Sequence, residues 1–319
     1  MIIKIVDRIR PFTHISGIKV PIPGTSSSVQ IFPALLKFFE GSEIQKEVPL
    51  EIEGPVKEFT AQLDLTKGYI KVWGHGQNGY FRYYIFGSSN CPEISFDKVP
   101  KIVTSDFEQL SLGSNKSQDW AGVMRRGDLT EIFPLWYLLG QMVPETPIKS
   151  NEGTLHLLQD CHSYEDFRRL WLAGFEGIMS PRLEDTDYQG FQLPLVQTPS
   201  QSPLPLLTKG WQFIRTLFFE ERDEALHILP NVSKEFHCGR IVGLSTQDDS
   251  KVNLEWTKKK LRRMEIRSTN DCEKKIVFPK GFKSFRLRTK KTEKGERMPC
   301  DTILKLEKGK SYIIDNLKK

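Results

Sequence analysis

The sequence predicts an α+β fold in which antiparallel, β-sandwich-like segments at both ends flank a small helical region. Three observations carry this. Apolar and polar residues alternate through Phe59, Ala61 and Leu63, and again through Val252, Leu254 and Trp256, the period of a half-buried strand. Between these stretches Leu129, Ile132, Phe133, Trp136, Leu139 and Met142 recur at spacings of three and four, which makes one apolar helical face. Clustered glycine and proline punctuate many short elements. The pattern divides into an N-terminal β-region at 1–115, a helical region with a long acidic loop at 116–225, and a basic C-terminal β-domain at 226–319.

In chain order, Pro21, Pro23 and Gly24 followed by Ser26, Ser27 and Ser28 read as an irregular loop. The strand through Phe59 to Leu63 turns at Thr66-Lys67-Gly68 into a second strand, Tyr69 to Trp73. His75 to Gly79 is a glycine-rich hairpin loop, because Asn78 and Gly79 tolerate positive φ, and Tyr80 to Phe86 returns. A helical stretch spans Asp119 to Met142, with Asp128 placed to cap its second part and Gly140 and Pro144 marking its end. A second helix runs from Ser163 to Ala173, and Ser163 with Asp166 makes a cap-like start. A third runs from Leu206 to Glu220. The segment Ser180 to Pro205 is a long irregular loop, of the kind that compact domains keep for function or leave disordered. Beyond it, Leu261 to Ile266 returns from a Lys258-Lys259-Lys260 turn, with a slip of phase between Leu261 and Met264 that predicts a bulge. Phe282, Phe285 and Leu287 form another strand, KTEKGERMP is a charged loop, and Ile303 to Leu306 with Tyr312 to Ile314 close as a hairpin.

Bulk properties exclude several classes. The chain of 319 residues can bury a sizeable core, and 38% hydrophobic with 27% charged residues fits a globular protein. No apolar run approaches the roughly 20 residues that span a bilayer. The start, MIIKIVDRIRPF, is interrupted by Lys4 and Asp7 and lacks a secretory h-region, so a cytoplasmic location is expected, with signal-independent export left open. Cys91, Cys161, Cys238, Cys272 and Cys300 are odd in number, widely spaced and without CxxC, which argues against a disulfide framework or zinc site. No HxH or HExxH is present, and no metal or other cofactor is expected. The chain also lacks GxxxxGK[ST] and GxSxG, so nucleotide-binding and α/β-hydrolase readings have no support. Residues 251–319 carry 22 Lys and Arg against 9 Asp and Glu. Nucleic acid or an anionic surface is one partner for such a module; solvated strand faces are the favoured reading.

Two anchors carry a family resemblance. LDLTKGYIKV, the glycine hairpin and YFRYYIFGSS form the first; LHILPNVSKEFHCGRIVGL followed by VNLEWTKKKLRRMEIRS forms the second, joined by TILKLEKGKSYII near the end. They resemble the N-terminal β-sandwich and the C-terminal β-domain of glycoside hydrolase family 95, the α-L-fucosidase-like enzymes, over about 100 residues. The resemblance implies that catalysis belongs to an (α/α) barrel between the two β-parts. Here that interval is about 110 residues, enough for a few helices only. No position matches the family's catalytic motifs, so no catalytic residue is assigned by resemblance. The expectation is a non-catalytic relative of carbohydrate-active enzymes that binds a glycan or a protein.

Candidate site residues fall in three places. Glu184, Asp185 and Asp187, beside Arg182, Tyr188 and Gln189, offer acid/base chemistry or a polar cleft, which makes a reduced glycoside hydrolase the alternative; the plain reading is an acidic surface loop with a salt bridge. Trp120 with Arg125 and Arg126 can grip an anion, or pack a helix. His237 and Cys238 are adjacent on a strand and point to opposite faces, so His237 is badly placed to activate the thiol. Oligomeric state is not readable from the sequence.

Overall fold

A computed structural model of the protein describes residues 3–100, 102, 106–114, 116–198, 201–290 and 292–319. The architecture is mixed α+β with sheet-rich ends. By contacts the chain divides into two compact units, Arg8–Ser105 with Lys116–Trp211, and Met1–Asp7 with Asp106–Asn115 and Gln212–Lys319.

The first unit holds two antiparallel sheets. One runs in the order Phe12–Thr13, Lys57–Asp64, Tyr69–Gly76, Gly79–Ser88, Cys91–Ser95, and buries Ala61, Leu63, Ile70, Val72 and Ile85 on one face. The other is a meander of Ile18–Pro21, Ser27–Phe32, Leu35–Glu40 and Glu43–Pro49 with Val20, Val29, Ile31 and Leu36 buried. Ser27 and Ser28 therefore belong to a strand. The expected loop shrinks to a turn, because Ser28 pairs with Pro21 and Val29 with Val20 across a hairpin. Gly74 to Gly79 spells GxGxxG, yet it joins two antiparallel strands and has no helix behind it, so it is not a phosphate-binding turn. Only Gln77 and Asn78 lie outside the strands, and Gly79 takes φ +107°.

The first helical stretch is two helices, Trp120–Arg126 and Leu129–Met142. Gly127 ends the first in the left-handed region, and the Asp128 side chain accepts from the Thr130 N–H at the start of the second. Gly140 is not a terminator. It sits inside the helix where a Cβ would fall 2.5 Å from the Leu207 carbonyl oxygen, so its role is close approach of the Pro205–Phe218 helix. Trp136, fully buried, donates to the Leu206 carbonyl at 3.1 Å and meets Phe133, Phe167 and Phe175 edge-on. The Tyr164–Gly174 helix starts with the expected capping box of Ser163 and Asp166. A 3₁₀ helix, Gly153–Leu158, has no counterpart in the sequence reading.

The second unit contains a seven-stranded sheet, ordered Gln109–Ser111, Cys238–Ser245, Lys251–Thr257, Lys260–Arg267, Ser311–Lys318, Ser284–Arg288, Glu296–Pro299. Its buried face includes Ile241, Leu254, Trp256, Met264 and Ile314. The predicted bulge is present: Glu255 pairs with Arg263 and Trp256 with Leu261, which leaves Arg262 over. A four-stranded sheet of Phe219–Arg222, Ala225–Ile228, Cys272–Val277 and Ile303–Leu306 accompanies it. Several expectations change here. The third helix stops at Phe218, because 219–222 pairs with 225–228. Phe282 lies outside the Ser284–Arg288 strand. Within KTEKGERMP, Glu296–Pro299 is an edge strand, and Lys291 lies outside the described residues. The closing hairpin does not form: Ile303–Leu306 pairs with Cys272–Val277 in one sheet, while Ser311–Lys318 pairs with Lys260–Arg267 and Ser284–Arg288 in the other. Gly309, at φ +76°, lets the chain change sheets, and each strand gains a distant partner in place of a local one.

Candidate ligand-binding cleft around residues 182–189

Arg182 follows a two-residue ladder, Phe175–Glu176 with Ser180–Pro181, and its side chain turns back onto the end of the Tyr164–Gly174 helix. Its Nε donates to the Ala173 carbonyl at 3.0 Å and Nη2 to the Leu172 carbonyl at 3.3 Å. A cation at a helix C-terminus satisfies orphan carbonyls and complements the helix dipole. The outer edge of the guanidinium holds the loop: Nη1 donates to Thr186 Oγ1 at 2.8 Å, and Nη2 meets Asp185 Oδ1 at 3.3 Å and Asp187 Oδ2 at 2.8 Å. Asp185 also accepts the Gln189 N–H at 2.8 Å. Arg182 and Asp185 are buried, whereas Tyr188 is 90% exposed.

The long loop is tied elsewhere too. Thr154 Oγ1 donates to the Arg182 carbonyl at 2.5 Å, and the Thr154 N–H to the Leu183 carbonyl at 2.8 Å. Glu152 accepts the N–H groups of Gln197 and Thr198, each at 3.0 Å, and these bonds, the one from Thr198 first, hold its carboxyl below the usual range. Pro199 and Ser200, inside the segment read as a loop, lie outside the described residues.

Around this loop lies a cleft of about 380 Å³, walled by Pro181 and Pro203 and lined with polar groups from separate elements: Lys19, Glu43, Glu176, Arg182, Glu184 and Gln201. Lys19 pairs with Glu176 at 3.0 Å and stands 4.5 Å over the Phe39 ring. Of the three acids singled out in the loop, Glu184 lines the cleft, while Asp185 and Asp187 are held by Arg182. The sequence reading missed Lys19, Glu43 and Glu176. They are far apart in the chain, and neither periodicity nor spacing joins them.

The other candidates are placed differently. Trp120 is buried and its indole N–H donates to the Gly177 carbonyl at 2.5 Å. Arg126 forks onto Glu131, with Nε at 2.8 Å and Nη2 at 2.5 Å, and Lys116 joins the same carboxylate at 3.0 Å. Arg125 is exposed in the last helical turn. His237 is exposed and Cys238 half-buried. The five cysteines are free, and among the described residues no group of three His, Cys, Asp or Glu side chains could hold a metal ion. No helix among them is long and apolar enough to cross a membrane.

In the second unit much of the basic charge is spent within the sheet. One rung crosses six strands in register, Arg240–Glu255–Arg263–Asp315–Arg286–Arg297. Glu255 accepts from Arg240 at 3.1 Å and Arg263 at 2.8 Å; Asp315 pairs with Arg286 at 2.7 Å and with Arg288. Residues 3–7 run along the same face, tied by the Ile3 N–H to Glu265 at 3.1 Å and by Asp7 to Ser111 at 2.8 Å.

These strands also carry a likeness to a known family. Residues 221–314 match the family model of the glycoside hydrolase family 95 C-terminal domain. The match starts in the Phe219–Arg222 strand and ends in Ser311–Lys318, so it takes in both the Trp256 hairpin and the sheet-changing turn. A search of curated proteins finds no match to the chain.

Proposed function

We propose that the protein is a non-catalytic relative of the family 95 enzymes that binds a glycan in the cleft beside residues 182–189. The observation that carries this is the set of polar side chains, brought from separate elements, that converges between two prolines; sugar hydroxyls are recognised by such carboxylates, amides and cations. Arg182 supports the reading by presetting the loop, which lowers the ordering cost of binding. The free cysteines accord with a cytosolic setting.

A second reading, a reduced glycoside hydrolase, draws on Glu43, Glu176 and Glu184 lining one cleft. It is disfavoured because Glu43 and Glu184 face solvent, whereas a general acid is kept protonated by an apolar setting, and because Glu176 is taken by Lys19. Calorimetric titration against neutral oligosaccharides tests the proposal. Binding that Glu176→Gln and Glu43→Gln weaken without lowering the melting temperature is the expected result. Hydrolysis of aryl glycosides or oligosaccharides that Glu184→Gln or Asp187→Asn abolishes, with folding intact, would replace the binding reading by the enzymatic one.

A further inference from the structure

The outward face of the five-stranded sheet carries a strip that the cleft does not use. Directly opposed residues of an antiparallel pair share a face. His75 lies opposite Tyr80, Trp73 opposite Arg82, and Lys71 opposite Tyr84, so these side chains rise together from the hairpin Tyr69–Gly76 and Gly79–Ser88. At the free end the His75 and Tyr80 rings are 5.3 Å apart, and Tyr80 is 54% exposed. Next come the exposed Arg82 and the half-buried Trp73, with the Lys71 ammonium 4.5 Å over the indole. Tyr84 and Tyr69, buried and edge-on at 5.1 Å, close the strip at its inner end.

The cations are the unusual part. Among the described residues neither Lys71 nor Arg82 has a carboxylate within ion-pair distance; Glu58 pairs with His75 at 3.3 Å, and Asp64, opposite Tyr69 on the same face, accepts the Lys67 N–H at 3.1 Å. Lys71 is held below its ordinary pKa by burial and then by the charges of Arg82 and Lys67, so an anion here would relieve repulsion that the fold leaves uncompensated. Successive same-face positions on a strand are about 7 Å apart, comparable to a sugar ring. Aromatic rings offer flat apolar contact to the C–H face of a pyranose, and a guanidinium offers a planar fork to a carboxylate or sulfate.

We propose that the His75, Tyr80, Trp73, Arg82 and Lys71 strip is a second binding site, which takes a short acid-bearing oligosaccharide, a uronate or a sulfated sugar. This rests on the glycan reading above. The strip is only three residue pairs long, which matches one short acidic oligosaccharide and leaves few cations for a long phosphate polymer.

The test is titration of the full chain with a galacturonic acid tetramer, a chondroitin sulfate hexasaccharide, a neutral cellotetraose and a twelve-residue oligothymidylate. Tyr80 and Arg82 are exposed, so Tyr80→Ala and Arg82→Glu leave the core intact, and unchanged melting confirms it. The expected result is binding of an acidic sugar that weakens at least tenfold in each variant, falls as salt is raised, and is unaffected by Glu176→Gln in the cleft. Acidic-sugar binding that ignores both variants overturns the proposal. So does binding of the neutral sugar alone, lost in Glu176→Gln, although the cleft reading then survives. Oligothymidylate binding lost in Arg82→Glu without any sugar binding overturns both.

Discussion

Trp256 concentrates much of the second unit's packing in one side chain. It is 1% exposed, donates to the Phe236 carbonyl at 3.0 Å and stacks on Phe218 at 5.1 Å. Gly239 lies beneath it, where a Cβ would fall 2.3 Å from the indole. Trp256→Ala should cost about 3–5 kcal/mol, read as a shift in the urea midpoint; an unchanged midpoint would remove its core role. Arg182 matters by a different route. Arg182→Ala strips buried Asp185 of its counter-charge and two helix-end carbonyls of their donor, so a loss of about 3–5 kcal/mol is expected. Amide exchange should show 182–189 opening first. Asp248 contributes to the loss of stability in acid. Burial alone would raise its carboxyl, but hydrogen bonds from Thr246, Ser250, Cys272 and Lys274 outweigh that and hold it well below the usual range. A depressed folded pKa stabilises above the unfolded value of about 3.9 and loses that contribution as pH falls toward the folded one. Asp248→Asn should therefore flatten the loss of stability below about pH 4, checked by melting from pH 6 to pH 2.

At the scale of elements, short devices set boundaries. The Ser163–Asp166 box starts the Tyr164–Gly174 helix that Arg182 closes at its other end. Ser163→Ala should cost about 1 kcal/mol, and a double variant with Arg182→Lys should show near-additive losses, because the two groups sit at opposite helix ends. Coupling above about 1 kcal/mol would mean that the helix ends are not independent. The Tyr69–Ser88 hairpin depends on Gly79 at φ +107°, a region open to glycine and costly to other residues. This is also the hairpin that presents Tyr80 and Arg82.

At the scale of the whole molecule, the second unit is built from three separate stretches of chain. Its seven-stranded sheet takes the edge strand Gln109–Ser111 from far upstream, and Arg215 bonds Glu108 at 2.9 Å and the Ser245 carbonyl at 2.6 Å. A fragment 219–319 holds the whole family-matched segment but lacks that strand, Phe218 and residues 3–7. It should give poor amide dispersion and rapid proteolysis. A dispersed spectrum and a melting temperature equal to that of the full chain would refute this dependence.

Local chemistry made much of this legible in advance. The Ser163 box, the Asp128 cap, the Arg262 bulge and the burial of Val252, Leu254 and Trp256 each depend on residues a few positions apart, whose side-chain period and backbone freedom can be read directly. What lay outside that reach depends on pairing across long separations. Ile303–Leu306 and Ser311–Lys318 have the pattern of a hairpin, but each gains more from a distant sheet than from its neighbour. Gly140 has the look of a helix end until the Leu207 carbonyl is brought beside it. Lys19, Glu43 and Glu176 become a cleft with Glu184 only when four chain segments meet. The sequence by itself determined the capped helices, the Tyr69–Ser88 hairpin and the Trp256 hairpin, because period and turn chemistry are local. Only the tertiary structure decided which strands share a sheet and which charges share a site, because those choices come from burial and pairing summed over the whole chain.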